Sequence, residues 1–272
     1  MKVGCSTVLF NQLDLYGALQ HIGWAGFEGA ELAILARHCR HIELDTTKSY
    51  LDDIRYASKK HNVALFAIHA DVGFIPGEHP VKSIAKLCDV AQKLNVPIIT
   101  LRSHGKSDDK EATIAEFKYL RTIADEAASR GVMLAVKPHV GASVYNTATL
   151  VQMLEAIDSP GLGACIDTLH IFRAREDASV TVRKLGNRLV HVHLREYPDV
   201  EERQTYECLA EEEIPGRGGV DFPKFLKTLK TAGYKGAMNL DVIGAFTYPL
   251  SRQMGIAAES RGYINRCLQE LQ

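Results

Sequence analysis

The sequence predicts an α/β protein that folds as a single domain, a closed (β/α)8 barrel spanning residues 1–272. Short apolar segments typical of strands alternate with amphipathic segments along the whole chain, eight of each, which is the pattern of a parallel sheet covered by helices. Polar residues end nearly every predicted strand, as expected at the catalytic face of a barrel. An open doubly wound sheet is the alternative, but no Gly-x-Gly-x-x-Gly follows the first strand.

Each predicted strand is a short, mostly apolar run that ends in polar or turn-forming residues. The first begins almost at the amino terminus, and the seventh carries two histidines between apolar residues. In chain order the predicted strands are Lys2–Ser6, Phe27–Leu32, Ala64–Ala70, Ile98–Arg102, Met133–Lys137, Gly163–Asp167, Leu189–Leu194 and Ala237–Val242.

Between the strands, apolar residues recur at intervals of three and four, which predicts helices with one buried face. Leu87, Cys88, Ala91 and Leu94 make one such face. After the last strand, a final helix is predicted from about Arg252 to Leu271. These helices would cover the outside of the barrel.

Side chains along a strand alternate between its two faces, so one set points into a barrel and the other toward the helices. On the seventh strand, Val190, Val192 and Leu194 form the outward set. The inward polar set, which converges on one mouth, is Glu31, His69, Asp71, Thr100, Arg102, His104, Lys137, His139, Asp167, His191, His193, Arg195, Asn239 and Asp241.

The longest connection follows the seventh strand and runs from Glu196 to about Gly219. A loop of this length at the catalytic face is typical of a lid or a substrate contact. Its glycines would let Arg217 approach a bound ligand closely.

Composition excludes several classes of protein. The chain has 32 Lys and Arg against 33 Asp and Glu, a formal charge of −1, so no nucleic-acid partner is expected. No apolar run approaches the roughly 20 residues of a membrane helix, and the first residues lack the pattern of a signal peptide. Six cysteines are scattered without Cys-x-x-Cys spacing, which argues against a zinc ribbon or disulfide framework. We expect a cytoplasmic protein with reduced thiols.

Four stretches together resemble the xylose-isomerase-like TIM barrels, a family of sugar and sugar-phosphate isomerases and epimerases. They are Gly163–His170, His191–Glu196, Pro215–Phe222 and Gly233–Asp241, and their order and spacing carry the resemblance over nearly the whole chain. The resemblance implies an isomerase or epimerase that moves a proton next to the carbonyl of a small sugar or polyol. It also allows a homo-oligomer, since many relatives are dimers or tetramers.

The resemblance further implies one divalent metal held by inward Glu, Asp, His and Glu residues on the fifth to eighth strands. Asp167 matches the Asp and His193 matches the His. Lys137 stands where the family has the first Glu, and Asp241 is a shortened version of the last. In the epimerases these two glutamates are also the acid and the base, so Lys137 and Asp241 become candidate catalytic residues.

Lys137 leaves three interpretations open, because two aspartates at the mouth need nearby positive charge. Its ammonium could take the metal's place between Asp167 and Asp241 and act as the substitute cation. Alternatively, Lys137 turns away and Asp167, His193 and Asp241 hold Mn²⁺, Mg²⁺ or Zn²⁺ in an open site. In the third interpretation, the protein binds a ligand without converting it. A Schiff base on Lys137 is a further chemical option.

Three more inward residues match positions where the family contacts its substrate. His170 resembles a contact to a substrate oxygen, and a histidine that caps the following helix is the structural alternative. Glu31 and His69 match positions that touch the sugar, although a buried histidine often has only a structural hydrogen bond.

The rim supplies the remaining candidates. Arg217 and His104, together with Lys137, would make the mouth cationic, which suits a phosphorylated or carboxylated substrate. Glu196 could replace the missing glutamate as base or orient His193, and a solvated loop acid is the alternative.

Other functions stay open at this point. An inosose dehydratase-like lyase is a close variant of the same chemistry, and a non-catalytic sugar-binding barrel is another possibility. A metal phosphodiesterase like the AP endonucleases, which use three zinc ions, is disfavoured because the fifth-strand Glu is missing and Asp221-Phe222-Pro223 stands where an Asp-x-His is expected.

Overall fold

The computed structural model describes residues 1–71, 79–198 and 208–271. Eight parallel strands form the barrel, and β1 pairs with both β2 and β9, which closes it. The strands are β1 (Lys2–Ser6), β2 (Gly29–Leu35), β3 (Cys39–Arg40), β4 (Ala64–Ala70), β5 (Ile98–Arg102), β6 (Met133–Lys137), β7 (Leu162–Asp167), β8 (Leu189–Leu194) and β9 (Ala237–Leu240). The predicted (β/α)8 barrel is confirmed.

Two strand predictions need correction. The second strand was placed at Phe27–Leu32, but β2 runs to Leu35 because β3 pairs antiparallel with its end, Ile34 opposite Arg40. A two-residue strand such as β3 has no periodicity to detect. The last strand ends at Leu240, so Asp241 lies just beyond it, where the chain leaves the barrel.

The helices cover the barrel, and capping residues in the sequence explain where two of them begin. Thr47 caps α2 by accepting a hydrogen bond from the Tyr50 N–H, and Asn146 and Thr149 form a capping box on α5. The helices are α1 (Leu15–Trp24), α2 (Lys48–His61), α3 (Pro80–Leu94), α4 (Lys110–Ser129), α5 (Thr147–Ile157), α6 (Thr168–Arg173), α7 (Ala178–Leu185), α8 (Phe222–Thr231) and α9 (Leu250–Gln269). None of those in the described ranges is long and apolar enough to cross a bilayer.

The inside of the barrel is closely packed at its amino-terminal end. Ala30 of β2 pairs with Leu65 of β4, and the next residue, Glu31, pairs with Ala67. Phe66 is therefore an extra residue in β4 and forms a β-bulge. A Cβ added to Gly29 would lie 2.4 Å from the Phe66 ring, so the ring fills space that a larger residue at Gly29 would need. This packing leaves the carboxyl ends of the strands as the open face.

At that face, β7 passes directly into α6. Asp167 is the last residue of the strand. Its carboxylate accepts a 3.4 Å hydrogen bond from the His170 N–H and so caps the amino terminus of the helix. After β8 the chain makes a short 3₁₀ turn at Ala210–Glu213; residues 199–207 of the long predicted loop lie outside the described residues.

Candidate active site at the carboxyl ends of the strands

A cavity of about 380 Å³ opens at the carboxyl ends of the strands. Its volume suits a small ligand of sugar size. Its lining is dominated by imidazoles and cationic side chains: Leu35, Ala36, Arg37, His38, His69, Asp71, Arg102, Lys137, His139, His170, Arg195 and Ile243.

Lys137 lies at the centre of a buried ionic cluster. It ends β6, and its ammonium donates hydrogen bonds of 3.3 Å to both Asp167 Oδ2 and Asp241 Oδ2. The same nitrogen lies 3.4 Å from His193 Nδ1. The structure thus brings together the four residues of the predicted centre, each from the end of a different strand or just beyond it.

Electrostatics keeps this cluster ionised. Burial disfavours the Lys137 ammonium, but Asp241 and Asp167 outweigh burial and raise the pKa of Lys137 above its ordinary value. Burial likewise opposes ionisation of Asp167, but the positive charges around it, with Lys137 and Arg195 among them, lower its pKa. Lys137 is therefore a fixed cation at neutral pH.

Arg195 stabilises the cluster through ion pairs with Asp167 and Glu213. Its guanidinium donates to Asp167 Oδ2 at 3.5 Å and to Glu213 at 2.9 and 3.3 Å. Glu213 also accepts a hydrogen bond from the Ile243 N–H at 2.9 Å, which fixes the chain after β9. Sequence alternation placed Arg195 inward, but nothing in the sequence indicated Glu213, because it lies in an irregular loop.

A second group of polar residues lies on the other side of His193. His193 Nε2 is 2.8 Å from Glu31 Oε2, and Thr100 donates a 2.6 Å hydrogen bond to Glu31 Oε1. His69 Nδ1 is 3.6 Å from Asp241 Oδ1. Burial lowers the pKa of His193, but Glu31 and Asp241 reverse the effect and raise it to about 9. His193 thus links the two groups.

Two neutral imidazoles line the cavity beside Lys137. The rings of His139 and His170 are 4.2 Å apart, and His170 Nε2 is 3.9 Å from Asp167 Oδ2. Burial, with help from Lys137 and Arg102, lowers the pKa of His139 to about 4. Burial also lowers the pKa of His170 well below its ordinary value, despite Asp167. Both rings therefore have a free lone pair at neutral pH.

Three predicted rim residues lie away from this cavity. Glu196 accepts hydrogen bonds from the N–H groups of Tyr197, Gly216 and Val220, so its carboxylate holds the loop together. Arg217 forms an exposed pair with Glu259 of α9 at 2.6 Å.

His104 is the third of them. Its backbone N–H donates to Glu116 of α4 at 2.8 Å, and its ring Nδ1 lies 3.5 Å from the same carboxylate. These contacts bind His104 to the helix that covers β5. In place of these rim residues, the structure brings His38 and Arg37 to the cavity, from the β2–β3 turn that sequence periodicity missed.

The divalent metal that the family resemblance implies does not fit between Asp167, His193 and Asp241. A nitrogen of Lys137 lies within 3.4 Å of a potential ligand atom of each, at the point where an ion would bind. A dication there would be repelled by the adjacent ammonium. In this structure the Lys137 ammonium occupies the space between these three residues.

Comparisons with known proteins relate this chain to a family. An inosose dehydratase of Clostridium perfringens is 23% identical over 245 residues, which cover 80% of this chain and 78% of that protein. The probable 3-DHS dehydratase AsbF of Bacillus anthracis superposes with a TM-score of 0.78 at 15% identity, covering 98% of this chain and 100% of AsbF.

An epimerase has the same fold. The D-psicose 3-epimerase of Clostridium cellulolyticum H10, solved with D-tagatose, superposes with a TM-score of 0.77 at 15% identity, over 98% of this chain and 99% of the epimerase. The family model described as xylose isomerase-like TIM barrel matches residues 20–266. By this match, the closed barrel described above belongs to the xylose isomerase-like TIM barrel family.

Proposed function

We propose that this protein is a dehydratase that removes the proton next to the carbonyl of a small polyhydroxylated ketone and expels hydroxide from the adjacent carbon. The observation that carries the proposal is the pairing of a fixed cation with neutral bases in one cavity. Lys137 is the cation, and His170 and His139 are the bases. Removal of a proton next to a carbonyl needs both kinds of group.

Lys137 would act on the carbonyl oxygen. As the proton leaves, negative charge moves onto that oxygen to give an enolate, and a buried ammonium stabilises it strongly. Asp167 and Asp241 keep Lys137 protonated and hold its nitrogen in place, so little reorganisation is needed during the reaction. The enolate is the shared intermediate of dehydration, isomerisation and epimerisation.

His170 would move the proton. Its neutral imidazole accepts the proton from carbon and becomes an imidazolium, which Asp167 at 3.9 Å stabilises. The imidazolium then gives a proton to the departing hydroxyl group on the adjacent carbon, and the enolate collapses to a conjugated ketone and water. When the imidazolium instead exchanges with solvent and returns a proton to the carbon, solvent hydrogen enters next to the carbonyl. Atoms and charge balance within the substrate and one histidine.

The comparisons support dehydration in particular. The inosose dehydratase of Clostridium perfringens aligns with most of this chain, and AsbF shares its fold. Arg37 and Arg102 at the cavity favour a substrate that carries a carboxylate, although Asp71 lies 3.8 Å from Arg102 and offsets part of that charge.

Epimerisation or isomerisation is the second candidate, favoured by the placement of the imidazoles. His69 comes from β4, and His170 follows β7 on a distant part of the ring of strands, and both line the cavity. A base on each side of a carbon is what inversion of its configuration requires. Both reactions begin with the same proton transfer.

Solvent exchange tests the proposal. The protein is incubated in D₂O with an inosose, 3-dehydroshikimate and D-tagatose, and we expect deuterium next to the carbonyl together with the ultraviolet absorbance of a conjugated ketone. Lys137→Met should lower the exchange rate by about 10²–10³-fold. His170→Gln should lower it by about 10²–10⁴-fold.

The control is Lys224→Met, since Lys224 forms an exposed pair with Asp177 outside the cavity. It should exchange at the wild-type rate. Exchange with a new epimer and no loss of water would replace dehydration by the second candidate. No exchange on any substrate that binds would refute both.

A further inference from the structure

Four buried side chains on the far side of His193 from Lys137 place ligand atoms close together. Glu31, His69, His193 and Asp241 each offer one nitrogen or oxygen, and these atoms all lie within 4.8 Å of one another. They come from β2, β4, β8 and the end of β9, so the closed barrel itself sets their separation. All four side chains are at most 4% exposed.

Each of the four has a buried atom that lacks a hydrogen-bond partner within the described part of the chain. The atoms are Glu31 Oε2, His69 Nδ1, His193 Nε2 and Asp241 Oδ1. Glu31 Oε2 and His193 Nε2 are 2.8 Å apart and form an ion pair while His193 is protonated, and a bound ion would take the place of that proton. Buried polar atoms are rarely left without a partner, so four that converge call for a ligand.

His193 and Asp241 each have one side-chain atom near Lys137 and another in the group of four. His193 turns Nδ1 toward Lys137 and Nε2 toward Glu31, and Asp241 turns Oδ2 toward Lys137 and Oδ1 toward His69. The Lys137 ammonium therefore satisfies one atom of each residue and leaves the other available. The second group is separate from the position that Lys137 occupies.

The spacing and the chemistry of the free atoms suit a metal ion. Zinc bonds of about 2.0–2.2 Å in a tetrahedron put neighbouring ligand atoms about 3.4 Å apart. The separations of 2.8 Å between Glu31 and His193 and 3.6 Å between His69 and Asp241 lie on either side of that value. Two imidazoles and two carboxylates form a donor set typical of Zn²⁺ and its neighbours, and one dication would balance both carboxylates.

From these contacts we infer that Glu31, His69, His193 and Asp241 bind one divalent transition-metal ion of the zinc class, displaced from the family's metal position now held by Lys137. Thr100 supports the site by its hydrogen bond to the other oxygen of Glu31, which fixes the carboxylate's orientation. His69 lines the cavity, so an ion can reach the site from the open face. The inference does not depend on the proposed dehydration, and either can fail alone.

Metal binding is measured without substrate. Protein freed of metal with a chelator is titrated with Co²⁺ and Zn²⁺, and binding is followed by the visible absorbance of Co²⁺ and by calorimetry. We expect one ion per chain and a higher thermal unfolding temperature with the ion. His69→Gln and Glu31→Gln should each weaken binding on the order of 100-fold or more, since loss of even an indirect partner costs 10–100-fold.

Lys224→Met is the control. Lys224 forms an exposed pair with Asp177 and is not one of the four ligands, so this variant should bind the ion with the wild-type affinity. Because Glu31 is fully buried, Glu31→Gln is first checked for cooperative unfolding. If Glu31→Gln does not fold, the test relies on His69→Gln, at the edge of the cavity. Absence of stoichiometric binding overturns the inference. Binding lost in Asp167→Asn and kept in His69→Gln would place the ion at the family position instead.

Discussion

Lys137 differs from an ordinary surface lysine because its charge is shared between two buried carboxylates. Asp167 and Asp241 are both fully buried, and each lies 3.3 Å from the ammonium. Removal of one member of such a group leaves the others as uncompensated charges in a medium that solvates them poorly. The residue that we propose to stabilise the enolate is thus also one that stabilises the fold.

The first prediction concerns stability. Lys137→Met should lower the free energy of unfolding by about 3–5 kcal/mol at pH 7. The deficit should shrink in acid, because an aspartate of the variant takes up a proton once its partner is gone. Urea denaturation at pH 7 and pH 5 measures both effects. Lys224→Met, which breaks an exposed pair, should cost less than about 1 kcal/mol, and equal losses in the two variants would contradict the argument.

The second prediction concerns His139. Its pKa in the folded protein is lowered from 6.5 to about 4, so the unfolded chain binds a proton in this window that the folded chain does not. The contribution of His139 to stability is therefore complete above pH 6.5 and is lost as the pH falls toward 4. Imidazole resonances followed by NMR should show the titration near pH 4, and a midpoint near 6.5 would contradict it. Arg102→Gln removes one cation that lowers this pKa and should shift the midpoint upward.

At the scale of elements, the strands and the residues at their ends were predictable, because a strand that is buried on both faces has a continuous run of apolar residues in the sequence. The same alternation correctly placed Lys137, Asp167 and His193 in one group. The β2–β3 turn was not predictable, since two residues define no period, and it brings His38 to the cavity. In the loop after β8, the Gly216 N–H donates a hydrogen bond to Glu196, and Arg217 pairs with Glu259 away from the cavity.

The third prediction concerns the packing of strands inside the barrel. A Cβ at Gly4 would lie 2.0 Å from Asn239 Oδ1 and 2.9 Å from the carbonyl oxygen of Gly29, so Gly4→Ala should cost about 1–3 kcal/mol or more. Gly255 gives the opposite case, because it is exposed within α9 and nothing lies near its added Cβ. Gly255→Ala should raise stability by about 0.5–1 kcal/mol. Thermal and urea unfolding compare the two, and a tolerated Gly4→Ala would show that the strands can separate.

At the scale of the whole molecule, the chain has the barrel of its family and a lysine at the centre of the site, where the resemblance implies a glutamate. The strand order of the barrel brings Lys137, Asp167, His193 and Asp241 together at one end. The family model, which matches residues 20–266, identifies the family. The cation that we propose for the reaction is a single residue, Lys137.

The last prediction reverses that change. Lys137→Glu replaces an ammonium with a carboxylate among Asp167, Asp241 and His193, so the variant should be strongly destabilised without metal. It also places a carboxylate where the resemblance implies the first glutamate, and a dication would then neutralise the excess negative charge. We expect Mn²⁺ to raise the thermal unfolding temperature of Lys137→Glu, and the rise should disappear when Asp167→Asn is added. In the wild-type background, Asp167→Asn should leave any Mn²⁺ effect unchanged. If Mn²⁺ does not change the unfolding temperature of Lys137→Glu, the glutamate alone does not create a metal site. The presence of Lys137 would then not be sufficient to explain the loss of the metal site that the resemblance implies.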